Sequence, residues 1–162
     1  MALTVTRSRE LVSYNAETGD FTYNMARSPI RVGDIANSRD KDGYIVIMID
    51  GRRYKAHRLV WLYEYGRWPP DQLDHINGIT SDNRLINLRE ASHLENMRNR
   101  GKPRTNTSGL KGACFHKNRN YWIAQIKNNG KNIHLGCFDS AEEAHAAYRN
   151  AAQKIFGEFA RT

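Results

Sequence analysis

The stretch from Asp71 to Asn99 constrains this chain more than any other: D-Q-L-D-H-I-N-G-I-T-S-D-N-R-L-I-N-L-R-E-A-S-H-L-E-N-M-R-N. It reads as a short strand ending in Asp74-His75, then a polar loop, then a short helix carrying Asn96. Ser92 and Glu95 form an S-x-x-E pair, the pattern in which a hydroxyl and a carboxylate satisfy each other's backbone donors at a helix start. The first helical residue then falls near His93, and Asn96 lies in the first turn or just after it. A carboxylate, an imidazole and an amide oxygen meet at such a strand–helix corner. Groups of this kind hold one hard cation and activate one water.

In residue types and spacing this stretch resembles the HNH endonuclease motif, also called the ββα-metal motif. It looks most like the branch found in phage and intron-associated endonucleases, where the first His follows an Asp and the third position is an Asn. Here His75, Asn87 and Asn96 fill the three named positions and Asp74 precedes the first. The resemblance implies that His75 is the general base and that Asp74 and Asn96 hold a divalent metal. It implies further that Asn87 ties the loop together through its amide. The third position departs from the commoner His, which leaves His93 as an alternative helix ligand. Two protein oxygens leave coordination positions for phosphate and water, which suits Mg²⁺, with Mn²⁺ the alternative. Arg84 and Arg89 are candidates to clamp a neighbouring phosphate.

Charge points in the same direction. The chain of 162 residues carries a formal charge of +8. Between positions 98 and 134 there are nine basic residues and no acidic one, whereas the first 97 residues hold 13 of each sign. A basic block of this kind is the footprint of a polyanion. It is not an amphipathic helix, no apolar run is long enough to span a bilayer, and the N-terminus lacks a signal-peptide core. The expectation is therefore a cytoplasmic protein with no membrane partner, acting in an infected host's cytoplasm if of phage origin. Cys114 and Cys137 form no C-x-x-C pair and read as small core or sheet residues.

Residues 1–56 read as β-hairpins. Leu11–Tyr14 and Phe21–Tyr23 flank a turn, and Gly43–Ile49 pairs with Arg52–Ala56 across Asp50-Gly51, a strong two-residue turn. His57–Tyr65 reads as a helix stopped by Gly66. Family members commonly carry the H-R-L-V string found here from His57 to Val60. Residues 98–108, with Gly, Pro and the basic residues Arg98, Arg100, Lys102 and Arg104, read as a linker laid along phosphates when bound.

From Gly109 the pattern changes to three strands, Lys111–His116, Tyr121–Lys127 and Asn132–Phe138. A second S-x-x-E box, Ser140 to Glu143, then starts a helix running from Ala141 to about Phe156. K-G-A-C-F-H, Y-W-I-A-Q-I-K and H-L-G-C-F-D-S-A-E-E-A in this order resemble the AP2 DNA-binding domain. In that family the sheet lies in the major groove. The matching positions are Lys111, His116, Gln125, Lys127 and His134, with Tyr148 on the helix. Several positions where plant members carry Arg or Trp are Cys114, Asn118, Asn132 and His134 here, so no base preference carries over.

The fold expected is α+β: β-hairpins plus a ββα-metal core over residues 1–97, a basic linker over 98–108, and an AP2-like sheet-plus-helix domain over 109–162. The function implied by the two resemblances is a metal-dependent, homing-type endonuclease that nicks double-stranded DNA as a monomer or weak dimer. Two other readings stand beside it. One is a DNA-binding regulator in which the HNH fold is only structural, and the other is an RNA-binding module, since a basic block does not distinguish nucleic acids.

Overall fold

The structure, a computed structural model, describes residues 3–103 and 105–161. Arg104, among the expected DNA contacts, lies outside the described residues. The chain divides into two compact units between Ser92 and His93, ahead of the boundary expected from composition at residue 98.

The first unit opens with a helix, α1 (Val5–Leu11), where the sequence reading expected only β-hairpins. Thr4 caps it, its side chain accepting from the backbone N–H of Arg7. The β-branched start, Val5-Thr6, suggests a strand, but the cap satisfies a helix donor locally and wins over seven residues. The hairpin β1 (Val12–Tyr14) and β2 (Phe21–Tyr23) follows, with Val12 opposite Tyr23. A second hairpin joins β3 (Val46–Ile49) to β4 (Arg52–Lys55). Its turn residues Asp50 and Gly51 both take positive φ, 46° and 74°, as a two-residue turn between right-twisted strands requires.

Helix α2 (Ala56–Tyr65) follows, closed by Gly66 in the left-handed region. Its apolar face, Leu59, Val60 and Leu62, is buried with Val12, Phe21, Ile47 and Ile49 in one core. Tyr63 packs edge-on to Tyr14 and Phe21, tying the first hairpin to the helix. The third hairpin, β5 (Gln72–His75) and β6 (Leu88–Ala91), reaches the same core through Leu73 and Leu88. These two leucines anchor the strands whose polar ends carry Asp74 and His75.

The second unit begins with α3 (His93–Arg98), a short helix starting where the S-x-x-E pair places it. The antiparallel sheet β7 (Ala113–His116), β8 (Tyr121–Asn128), β9 (Lys131–Phe138) follows, with β8 central. Helix α4 (Ala141–Phe156) covers one face. Ser140 caps it, accepting from the N–H of Glu143. Ala144 and Ala152 on α4 are fully buried, and these small residues let the helix sit close over Ala124 and Ile126. Gly112 shows how close: a Cβ there would lie 2.1 Å from the Tyr148 ring. Tyr148 is accordingly buried, not a surface contact as the family match suggested. Cys114 and Cys137 are both free and exposed, so the core alternative for them does not hold.

Candidate active site

His75 ends β5 with only 4% of its surface exposed. Its Nε2 lies 3.3 Å from the Oδ1 of Asn83, and the Nδ2 of Asn83 donates to the carbonyl of Ser81. With the amide nitrogen so engaged, Oδ1 is the acceptor. It accepts from Nε2 when that nitrogen carries the ring proton. Burial lowers the His75 pKa below its ordinary value, against the opposing effects of the Asn83 bond and Asp74. The imidazole is thus held neutral and able to accept a proton.

Two rings brace it. His57 meets His75 edge-on at 5.1 Å between centroids, and Tyr44 lies 5.9 Å away. His57 is itself buried, its Nδ1 has no hydrogen-bond partner, and desolvation drives its pKa down to about 3. It packs as a neutral ring. The sequence reading took His57, within H-R-L-V, as a structural residue hydrogen-bonded near the helix start and missed its packing on His75 and Tyr44.

The loop between β5 and β6 is tied by amides. Asn87 donates from Nδ2 to the Asn77 side chain and to the carbonyl of Asp82, and its Oδ1 accepts from the backbone N–H of Asn77. From outside the loop, the Tyr14 hydroxyl donates to the carbonyl of Asn83 and accepts from the N–H of Leu85. Gly19, at the first hairpin's turn, comes so close that a Cβ would sit 2.6 Å from the Arg84 nitrogen. The first hairpin is therefore a brace for the loop that holds His75. Neither Tyr14, Gly19 nor Asn83 stood out beforehand. The one available signal was Asp82-Asn83 next to an arginine inside a loop already singled out.

The two loop-side arginines are both paired with carboxylates. Arg84 makes a bidentate contact with Asp82, Nε to Oδ1 at 2.8 Å and Nη2 to Oδ2 at 2.6 Å. That pairing is the largest cause of the Asp82 pKa falling to about 2. Arg89 lies directly opposite Asp74 across the β5–β6 ladder, and its Nε and Nη2 both donate to Asp74 Oδ2, at 3.0 and 2.8 Å.

Asn96 and His93 lie on α3 in the second unit, Asn96 half-buried and His93 exposed. Among the described residues no three His, Cys, Asp or Glu side chains gather as a metal cage. The Asp74 carboxylate is a charged side chain next to His75 that could hold a divalent cation.

In the second unit, Ala124 and Ile126 face α4, and the alternation puts Gln125 and Lys127 on the opposite, open face. The register adds His134, opposite Gln125, and His116, opposite Tyr121, to that face. Gln125, Lys127 and His134 are exposed, and His116 is half-buried. Lys111 is turned inward instead: its Nζ donates to the carbonyls of Arg98, Arg100 and Arg161, and desolvation lowers its pKa to about 8. Arg98 folds back over the Phe156 ring at 5.1 Å. Lys102 is exposed and donates to the carbonyl of Gly109, and Arg100 is exposed.

Comparison with known proteins matches residues 54–98 to a family model described as HNH endonuclease. Protein 3.8 of Escherichia phage T7 is 37% identical over 112 residues, covering 67% of this chain and 92% of that protein. The AP2-like ethylene-responsive transcription factor TOE2 of Arabidopsis thaliana is 37% identical over 60 residues, which are 37% of this chain and only 12% of the plant protein. A solved structure titled for DNA binding and cleavage by the HNH homing endonuclease I-HmuI aligns over 91% of this chain and 78% of that one. Its TM-score is 0.41 at 21% identity.

Proposed function

We propose that this chain, which belongs to the HNH endonuclease family and is a DNA endonuclease, nicks double-stranded DNA in a reaction that depends on a divalent metal, Mg²⁺ by preference. The observation that carries this reading is the buried, neutral His75, whose Nε2 is engaged by Asn83 beside the Asp74 carboxylate. His75 takes a proton from water, so that hydroxide forms next to the scissile phosphate. Asp74 is the charged metal ligand. Asn96 is proposed as the second ligand because it matches the family's third position. When bound, the ion supplies charge neutralisation at the phosphate and stabilisation of the leaving oxygen. Asn87 holds the loop around the base and touches no reacting atom.

The second unit is proposed to bind the target. Its open sheet face presents His116, Gln125, Lys127 and His134, and the likeness to AP2 segments supports placing that face on duplex DNA. Arg100 and Lys102 are proposed phosphate contacts. One base and one metal serve one phosphate, so a monomer nicks a single strand per binding event. No helix among the described residues is long and apolar enough to cross a membrane.

Supercoiled plasmid incubated with the enzyme, with Mg²⁺ or with EDTA, tests the proposal. Nicked circles should appear first and only with Mg²⁺. Linear product forming first at sub-stoichiometric monomer would refute the single-site reading, and equal cleavage in EDTA would refute metal dependence. Binding without cleavage under every divalent ion would favour the regulator reading.

A further inference from the structure

We propose that a cleft in the second unit docks an acidic amphipathic helix of a partner protein. The cleft has a volume of about 900 Å³. It is walled by α3, residues 100–103, the β8–β9 turn and α4. Leu94 and Met97, three residues apart on α3, lie on one face of that helix and line the cleft together. They are 55% and 47% exposed, although a short helix normally turns such side chains into a core. Buried Ile126 extends the apolar strip they form. The exposed cations Arg100, Lys102 and Lys127 line the same cleft, and none of the described lining residues is acidic.

The apolar strip and the cations together select the occupant. The cations alone would suit any polyanion. The strip does not suit duplex DNA, which stacks the faces of its bases inside and shows only their edges in the grooves. Single-stranded nucleic acid turns its bases outward, but it is held by stacking on open aromatic rings. The two rings that line this cleft, Tyr148 and Phe156, are buried, and Arg98 lies over the second at 5.1 Å. An amphipathic helix supplies both halves of the match: aliphatic side chains recurring along one face, and carboxylates flanking them. A strip of leucine and methionine adapts readily to such side chains. Arg100 and Lys102 are also proposed phosphate contacts, and Lys127 belongs to the sheet face proposed to meet DNA. A docked helix should therefore displace duplex DNA. That consequence rests on the DNA-binding reading of the second unit, whereas the docking itself does not.

The probe is a synthetic peptide of about 16 residues, with leucines at helical spacing on one face and glutamates elsewhere. A control of the same composition has its leucines scattered around the helix. Fluorescence anisotropy follows the binding of each to the full chain, and the methyl resonances of Leu94, Met97 and Ile126 report where it sits. The patterned peptide should bind at least about tenfold more tightly than the control, the difference expected for burying one aliphatic side chain. It should also shift those methyl resonances. The double variant Leu94→Gln, Met97→Gln should bind the patterned peptide at least about tenfold more weakly. Its affinities for the control peptide and for duplex DNA should match wild type. Saturating patterned peptide should weaken duplex binding by the wild-type chain.

Equal binding of the two peptides would show that charge alone attracts them, and overturns the proposal. So does binding that leaves the methyl resonances unmoved, or no binding of either peptide. A double variant that loses duplex affinity along with the peptide also overturns it, because the strip then belongs to the DNA surface. If the double variant does not fold, the control peptide and the methyl resonances decide. A patterned peptide that binds in the cleft and leaves duplex affinity unchanged upholds the docking, and removes Arg100, Lys102 and Lys127 from the DNA contacts instead.

Discussion

His57 makes the first unit's stability depend on pH in a way that one substitution isolates. The ring is 6% exposed, packed against His75 and Tyr44, and its pKa falls from an ordinary 6.5 to about 3, chiefly because burial disfavours the charged form. The unfolded chain therefore binds a proton at this residue at a pH where the folded chain does not. The stability so contributed is fully present above 6.5. It is lost progressively as pH falls from 6.5 towards 3. The whole interval corresponds to roughly 5 kcal/mol, and about 2 kcal/mol of it is gone by pH 5. His57→Phe keeps a ring of similar size and removes the titration. Its loss or gain of packing shifts stability by an amount that does not depend on pH, so the difference in slope is the informative quantity. Urea unfolding followed through the α2 amide resonances, from pH 7.5 to 5, measures it for both proteins. Wild type should lose about 2 kcal/mol relative to His57→Phe over that range. Parallel curves would show that His57 is protonated, or exposed, in the folded state, and would refute the argument from burial.

Four further outcomes follow from the structure. His75→Ala should lower the nicking rate by roughly 10²–10⁴ while DNA affinity is retained. Because neutral His75 is the active form and its pKa is lowered, the midpoint of the acid limb of wild-type activity should lie below pH 6.5. An acid limb centred above 6.5 would contradict the burial effect. Gly19→Ala combines φ of +80° with a Cβ 2.6 Å from the Arg84 nitrogen, so it should cost about 1–3 kcal/mol and slow nicking through the displaced loop. An unchanged Tm and rate would remove the first hairpin's role as a brace. Lys127→Ala, on the open sheet face, should weaken duplex binding and flatten the slope of log affinity against log salt by roughly 0.9. An unchanged slope would take that face off the phosphates.

The parts of this protein that were legible in the sequence are those set by neighbours along the chain. The Asp50-Gly51 turn, the Ser140 cap, the Gly66 stop and the order of three strands and a helix after Gly109 all rest on interactions a few residues long. The place of Asp74-His75 at a strand end and of Asn87 in the loop's hydrogen bonds was legible for a related reason, since a tight hairpin leaves few spacings open. Helix α1 was not, because a single threonine cap decided between two weak local preferences.

What the tertiary structure alone decided was the partner of each charged or polar side chain. Arg84, Arg89 and Lys111 all read as cations available to phosphate. The fold pairs the first with Asp82, sets the second across a ladder from Asp74, and turns the third onto three carbonyls. Asn83, Tyr14 and His57 read as ordinary loop, strand and helix residues, yet folding brings all three to His75 or its loop. The physical reason is common to both groups. A buried charge or hydrogen-bonding group is stabilised by a partner within about 3 Å, and a buried ring such as His57 by the rings packed on it. Which group stands there depends on register and on close approach between elements far apart in the chain.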